Sequence, residues 1–254
     1  MSLLSLKNLS TGYDDNIVLN SVDFNSPGAE LVGVIGANGA GKSTLLKAIA
    51  GLLSYSGHIM FENDSLADLS RREQTTRCAY MAQNIQQTFP FRVEEIVAMG
   101  LAFKNRFFAP PTMPKQIAEC LSMLGFEKSI DNYFGELSIG QQQIVMLAQT
   151  LIKNAPLVLL DEPSAPLDYR HTTKVIHALK ERVKQGTTVL MALHDLNIAS
   201  QSCDRILLLK DAQIKKVGSP KEVLQKSLLE EIYNTPLDHF HHPETERPVI
   251  GLSL

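Results

Sequence analysis

The chain has 254 residues, 44% of them hydrophobic and 20% charged, with a net charge of −3. That length is ample for a buried core, but the charge gives no general hold on polyanions, so any phosphate chemistry has to come from a local site and no nucleic-acid partner is expected. No run approaches the ~18 apolar residues of a membrane-spanning helix, MSLLSLKNLS has no signal-peptide pattern, and Cys78, Cys120 and Cys203 lack metal spacing, which together predict a cytoplasmic protein with reduced thiols.

Leu4, Leu6 and Leu9 alternate as buried positions of a first strand. YDDNIVLNSVDFNSPGAE adds strand pieces broken by turn signals, so residues 1–30 are expected to be antiparallel β. LVGVI (Leu31–Ile35) is a short apolar run suited to a strand buried on both faces. A glycine-rich turn follows, then STLLKAIAGLL, whose Leu45, Ile49 and Leu52 predict one face of a helix. GHIMFEN and RCAYMA read as further strands.

From Asn84 to Pro156 the pattern changes to helices. VEEIVAMGLA, QIAECLSMLGF and the segment carrying Ile144, Leu147, Ala148 and Leu151 on one stripe predict a helical insertion. Strand–helix alternation resumes with LVLL (Leu157–Leu160), HTTKVIHALKERVKQG, TTVLMAL and RILLLK, which argues for a parallel sheet with crossover helices. SPKEVLQKSLLEEIY reads as a short helix before a tail with His239, His241 and His242. Those histidines have no carboxylate or cysteine partner at ligand spacing, and no metal is expected there.

GANGAGKS (Gly36–Ser43) matches G-x-x-x-x-G-K-[ST] at each fixed position and lies between a predicted strand and a predicted helix. Glycines let the backbone N–H groups turn inward around phosphate oxygens, and the helix start adds the favourable end of its dipole. The expected nucleotide contacts are Gly36, Asn38, Gly39, Ala40, Gly41, Lys42, Ser43 and Thr44. Lys42 would place its charge on the β and γ oxygens, and Ser43 would offer its hydroxyl to Mg²⁺. LVLLDEP supplies two carboxylates at the C-terminal end of a buried strand, where ligands of open α/β sheets bind. Asp161 is placed to hold the metal. Glu162 is expected to point the other way, since successive strand side chains diverge, and to polarise a water for attack on the γ-phosphate. The fold class is therefore α/β: a P-loop NTPase core with a parallel sheet, an N-terminal antiparallel β subdomain and an inserted helical subdomain. One domain spans 1–254, with the core in 1–84 and 157–230, the helical part in 85–156 and a tail in 231–254.

With these residues in place, the chain resembles the ATP-binding subunits of ABC transporters over nearly its whole length. Leu137-Ser138-Ile139-Gly140-Gln141 is similar to the family signature Leu-Ser-Gly-Gly-Gln, with Ile139 as a departure. The resemblance implies that Ser138, Gly140 and Gln141 meet the nucleotide of a second chain. It also implies that Gln83 senses Mg²⁺ and the membrane subunit, that His194 contacts the γ-phosphate, that Tyr13 stacks on adenine, and that Asp168 in SAPLD belongs to a dimer-contact loop. Ile139 is β-branched, which disfavours positive φ and predicts ordinary dihedrals there. Ser138 is also a suitable helix cap. The implied cofactors are ATP and Mg²⁺, the latter held by Ser43, Gln83 and Asp161. The implied assembly is a homodimer on two transmembrane permease subunits, peripheral on the inner face of the membrane and served by a substrate-binding protein.

FPFRVEEIVAMG, HDLNIA and HHPETERPVI are similar to the importer branch for iron-siderophore, haem and cobalamin. That branch often has Gly-Arg where this chain has Gly100-Leu101-Ala102-Phe103. Mn²⁺/Zn²⁺ importer ATPases have a similar middle and are the nearest alternative. A soluble cassette ATPase acting on nucleic acid or ribosomes, a P-loop kinase or GTPase, and a non-hydrolysing module fit the motif set less well. Five of the ten phenylalanines lie at Phe89, Phe91, Phe103, Phe107 and Phe108; docking of a membrane subunit and packing within the helical part are both open readings of this cluster.

Overall fold

In the computed structural model, which describes residues 3–14, 16–83, 90–101 and 113–253, the N-terminal segment is antiparallel, as its alternation predicts. β1 (Leu4–Tyr13) and β2 (Asn16–Ser26) form a hairpin, and after β3 (Leu31–Ile35) and α1 (Lys42–Ile49) the chain returns with β4 (Tyr55–Phe61) and β5 (Asp64–Ser65). The order β2-β1-β4-β5 makes one sheet. α1 ends sooner than its apolar stripe suggests: Ala50 caps it, Gly51 turns at φ 69°, and Leu52 is exposed rather than on the buried face. Glycine's access to left-handed backbone overrides the apolar pattern at that point.

α2 (Arg71–Arg77) leads into β6 (Cys78–Met81), and the helical stretch follows as α3 (Val93–Met99), α4 (Met113–Met123) and α5 (Ile139–Leu151). Then come β7 (Leu157–Asp161), α6 (Tyr169–Lys184), β8 (Thr188–Ala192), α7 (Leu196–Ser202), β9 (Arg205–Lys210) and β10 (Gln213–Gly218). The single helix expected over Ser219–Tyr233 is two, α8 (Pro220–Val223) and α9 (Lys226–Tyr233), separated where Leu224 leaves helical geometry at ψ 47°. The tail closes as a hairpin of β11 (Leu237–His241) and β12 (Pro248–Leu252). Of the phenylalanine cluster, Phe91 is half-buried against the core; Phe89, Phe103, Phe107 and Phe108 lie outside the described residues.

The second sheet has the order β10-β9-β3-β8-β7-β6, with every pair parallel except β10–β9. Period-two alternation sorts its side chains into two layers. Leu31, Ile35, Val189 and Met191 face the layer formed with α3 to α7, whereas Val32, Val34, Leu157 and Leu159 face α1 and the antiparallel sheet. Burial on both faces explains why these strands are almost wholly apolar. The order β3-β8-β7-β6 has a functional consequence. Four neighbouring parallel strands end at the same edge, and each leads directly into a segment singled out from sequence. No helix among the described residues is long and apolar enough to cross a membrane.

Candidate active site

β3 leads into the glycine-rich loop, β8 into His194, β7 into Asp161 and Glu162, and β6 into Gln83. Tyr13 arrives from the other sheet, as the last residue of β1. These segments border a cleft of about 490 Å³ whose walls are Tyr13, Val18, Asn38 to Thr44, Gln83, Glu162 and His194, with Asp161 not among the wall residues.

The loop is shaped by close backbone approach. At Gly36 the φ is 151°, and a Cβ would stand 2.4 Å from the Leu209 carbonyl oxygen, so no other residue fits. Lys42 is 6% exposed and curls back, donating from Nζ to the carbonyl of Gly36 at 2.8 Å and of Ala37 at 3.2 Å. Burial lowers its pKa, against the opposing pull of Glu162 and Asp161. An anionic phosphate in the cleft would relieve that penalty, and the same ammonium lies at the loop it would serve.

Asp161 is 2% exposed and accepts a hydrogen bond from the Ser43 hydroxyl at 2.9 Å. Burial raises its pKa, and the Ser43 bond only partly offsets this, with the Glu162 charge adding to the rise. A carboxylate and a hydroxyl brought together in this way fit a hard divalent cation, which takes oxygen ligands and would favour the ionised form.

Glu162 diverges from Asp161 for a reason the sequence does not show. β7 stops at Asp161, and Glu162 adopts φ 53°, a left-handed conformation that is costly for a residue with a Cβ. The Glu162 N–H donates to the Ala192 carbonyl at 3.2 Å, holding the turn on β8. Its carboxylate is mostly buried and bonds His194 Nε2; an ionised Glu162 accepts there from the tautomer carrying the Nε2 proton. The strain thus turns an acid out of the strand end and towards the loop.

The signature segment folds as its pattern suggests, but elsewhere. Ser138 caps α5 by accepting from the Gln141 N–H at 3.3 Å, and the Gln141 side chain accepts from the Ser138 N–H at 3.1 Å. Ile139 is 74% exposed with ordinary backbone geometry. At Gly140 a Cβ would come within 3.2 Å of the Pro166 carbonyl oxygen, so part of the need for glycine arises within this chain. None of Ser138, Gly140 and Gln141 lines the cleft. Asp168 lies outside it too, capping α6 through the His171 N–H and bonding the His171 ring, each at 2.8 Å. Asp168 instead borders a neighbouring recess of about 360 Å³ that shares Glu162 and His194 with the cleft.

Two contributors lie outside the motifs read from sequence. Gln143 on α5 donates to the carbonyls of Glu162 at 3.3 Å and Pro163 at 3.2 Å, tying the signature helix to the strained turn. Lys47 on α1 donates to the Tyr13 hydroxyl at 3.1 Å. Polar residues on a helix give no signal for such contacts before the fold is known.

The ABC transporter family profile matches residues 19–165. The chain is 37% identical over 229 residues to the hemin import ATP-binding protein HmuV of Streptomyces coelicolor, an alignment covering 90% of this chain and 82% of that one. It is 32% identical over 247 residues to the probable iron chelatin transport ATP-binding protein of Helicobacter pylori strain J99, covering 95% and 97%. Among solved structures, an ATP-binding subunit of an ABC transporter superposes with a TM-score of 0.80 at 27% identity, covering 92% of this chain and 98% of that one. The ATP-binding cassette MJ0796, in a dimeric post-hydrolysis state bound to ADP and Pi, superposes with a TM-score of 0.77 at 30% identity, covering 85% and 98%.

Proposed function

This chain belongs to the ABC transporter family and is an ATP-binding ATPase, and we propose that it energises a bacterial importer whose cargo is an iron-siderophore, haem, cobalamin or related metal chelate. The observation that carries the catalytic part is the convergence of the phosphate loop, the Ser43–Asp161 pair and the Glu162–His194 pair at one sheet edge. The cargo class is supported by likeness to relatives named for hemin and iron chelatin.

In this reading the triphosphate lies along Gly36 to Thr44, with its γ-phosphate towards Glu162 and adenine over Tyr13. Lys42 leaves the loop carbonyls for the β and γ oxygens. Glu162 takes a proton from water as the water oxygen bonds the γ-phosphorus and the bond to the bridging oxygen of ADP breaks. His194 holds Glu162 before binding and turns to the γ-phosphate afterwards. Ser43, Asp161 and Gln83 would hold Mg²⁺, which when bound neutralises charge on the β and γ oxygens.

Ser138, Gly140 and Gln141 complete the cleft of a second copy, with Asp168 in the contact between copies. With Ser138 and Gln141 capping each other, the donors free at the start of α5 are the N–H groups of Ile139 and Gly140. ATP would stabilise the closed homodimer, and hydrolysis would release it, moving two permease subunits docked on the helical part, residues 85–156. That places the chain on the cytoplasmic face of the membrane, working with an external substrate-binding protein.

Glu162→Gln should abolish turnover while keeping ATP affinity, and should trap a dimer visible by size-exclusion chromatography with ATP. Unchanged turnover would remove Glu162 as the base. For the cargo, the chain should co-purify from membranes with a hydrophobic partner, and that complex in vesicles should show ATP-dependent uptake of haem or a ferric chelate. Uptake of Mn²⁺ or Zn²⁺ instead would reassign the cargo.

A further inference from the structure

Tyr13 and the phosphate loop come from different sheets, yet a nucleotide spanning them has a fixed length. Something has to register the aromatic ring of β1 on the helix that begins the loop. Lys47 stands on α1 one turn after Ser43, and its ammonium is 3.1 Å from the Tyr13 hydroxyl oxygen but 5.5 Å from the ring centre. Those two distances put the nitrogen off the hydroxyl end of the ring instead of over its face. The contact is therefore a hydrogen bond that leaves the face open for stacking, and Tyr13 is 42% exposed towards the cleft. Burial acts to raise the pKa of the Tyr13 hydroxyl, but hydrogen bonds with Thr44 and Lys47 outweigh it and lower the group. Both partners belong to α1, so the ring is tied to the phosphate-binding helix and not only to its own strand.

We propose that Lys47 is a positioning residue for base recognition: its bond to the Tyr13 hydroxyl registers the adenine platform on the phosphate-loop helix, so that affinity for ATP depends on it while affinity for bare tripolyphosphate does not. This rests on reading Tyr13 as the adenine platform. It also explains why a tyrosine, with a hydroxyl to hold, serves here where a phenylalanine would stack as well. The rival role is electrostatic: the Lys47 charge also acts on Asp161, and a general field at the phosphates would strengthen both ligands alike.

The test measures binding of ATP and of inorganic tripolyphosphate, each with Mg²⁺, to the full chain by titration calorimetry. Tyr13→Ala should remove most of the preference for ATP. Lys47→Met and Tyr13→Phe should each weaken ATP about five-fold and leave tripolyphosphate unchanged. The double variant should be no weaker than Tyr13→Phe alone, since losing the hydroxyl already removes the Lys47 bond. Lys47→Arg, which keeps a donor, should restore the preference. Retained tripolyphosphate binding shows that each variant is folded. Equal weakening of both ligands by Lys47→Met overturns the proposal in favour of the electrostatic role. Loss of preference in Tyr13→Ala alone, with Lys47→Met unchanged, leaves the platform standing and overturns the tether. A preserved preference in Tyr13→Ala overturns both.

Discussion

Asp161 shows at the scale of one residue how the site trades stability for chemistry. Burial raises its pKa above the ordinary aspartate value. A carboxyl whose folded pKa exceeds its unfolded one stabilises the fold below the unfolded pKa and loses that contribution as pH rises through the folded pKa. At neutral pH the ionised group therefore opposes folding of the ligand-free chain. Asp161→Asn should raise the ligand-free Tm at neutral pH and flatten the decline in Tm from about pH 4 upward, while weakening the extra stabilisation that Mg²⁺ adds to ATP. A lower Tm across the whole range would contradict this account. Ile139 is the opposite case, a departure from the family pattern with little at stake locally. It is exposed at the first turn of α5 with ordinary dihedrals, so Ile139→Gly should change turnover by no more than about two-fold, the scale of a helix-propensity difference. A large gain would mean that the side chain obstructs the dimer face.

At the scale of elements, α5 does more than present the signature. Gln143 reaches the carbonyls of Glu162 and Pro163, so the helix proposed to serve a partner's nucleotide also braces the residue proposed as this chain's own base. Gln143→Leu should lower kcat about ten-fold through misplacement of Glu162, with ATP affinity unchanged in an equilibrium binding assay. Equal loss of kcat and affinity would point to general unfolding. The tail hairpin is a second unforeseen brace. Asn197 on α7 exchanges hydrogen bonds with the Ile250 main chain at 3.0 and 2.8 Å, and the Arg247 guanidinium holds carbonyls of Ser200 and Cys203 at 2.5 and 2.9 Å. α7 follows His194 directly, so the tail supports the element behind it. The tail histidines have structural partners: His239 bonds the Leu224 carbonyl at 2.8 Å, and His242 Nδ1 accepts from the Glu244 and Thr245 N–H groups at 3.3 Å each.

At the scale of the whole molecule, the cleft joins two sheets and four strand ends, so a bound nucleotide ties together parts of the chain that are far apart in sequence. Saturating ATP with Mg²⁺, at about a hundred times its Kd, should raise stability by about 2.7 kcal/mol, read as a shift in the urea midpoint. Lys42→Ala should show almost none of that shift. A normal shift in that variant would mean that the nucleotide is held elsewhere. The three signature residues stand outside their own chain's cleft, and this is why the assembly, rather than the monomer, is the proposed working unit.

Much of this protein is legible before folding because its signals are local. The phosphate loop, the apolar strands of the parallel sheet and the Ser138 cap each follow from residue type and spacing within a few positions, and the order of these motifs was enough to indicate the family. Local patterns also misled where glycine or a break in dihedrals overruled them, at Leu52 and between α8 and α9. Tertiary structure alone decided which strands are neighbours, and so which motifs share an edge. It decided that Glu162 turns at positive φ, that Gln143 and Lys47 hold site residues, and that the tail folds back on α7. The physical reason is that each of these contacts joins residues distant in the chain: a side chain's hydrogen-bond partner is set by the path of the backbone, and sequence spacing carries no record of it.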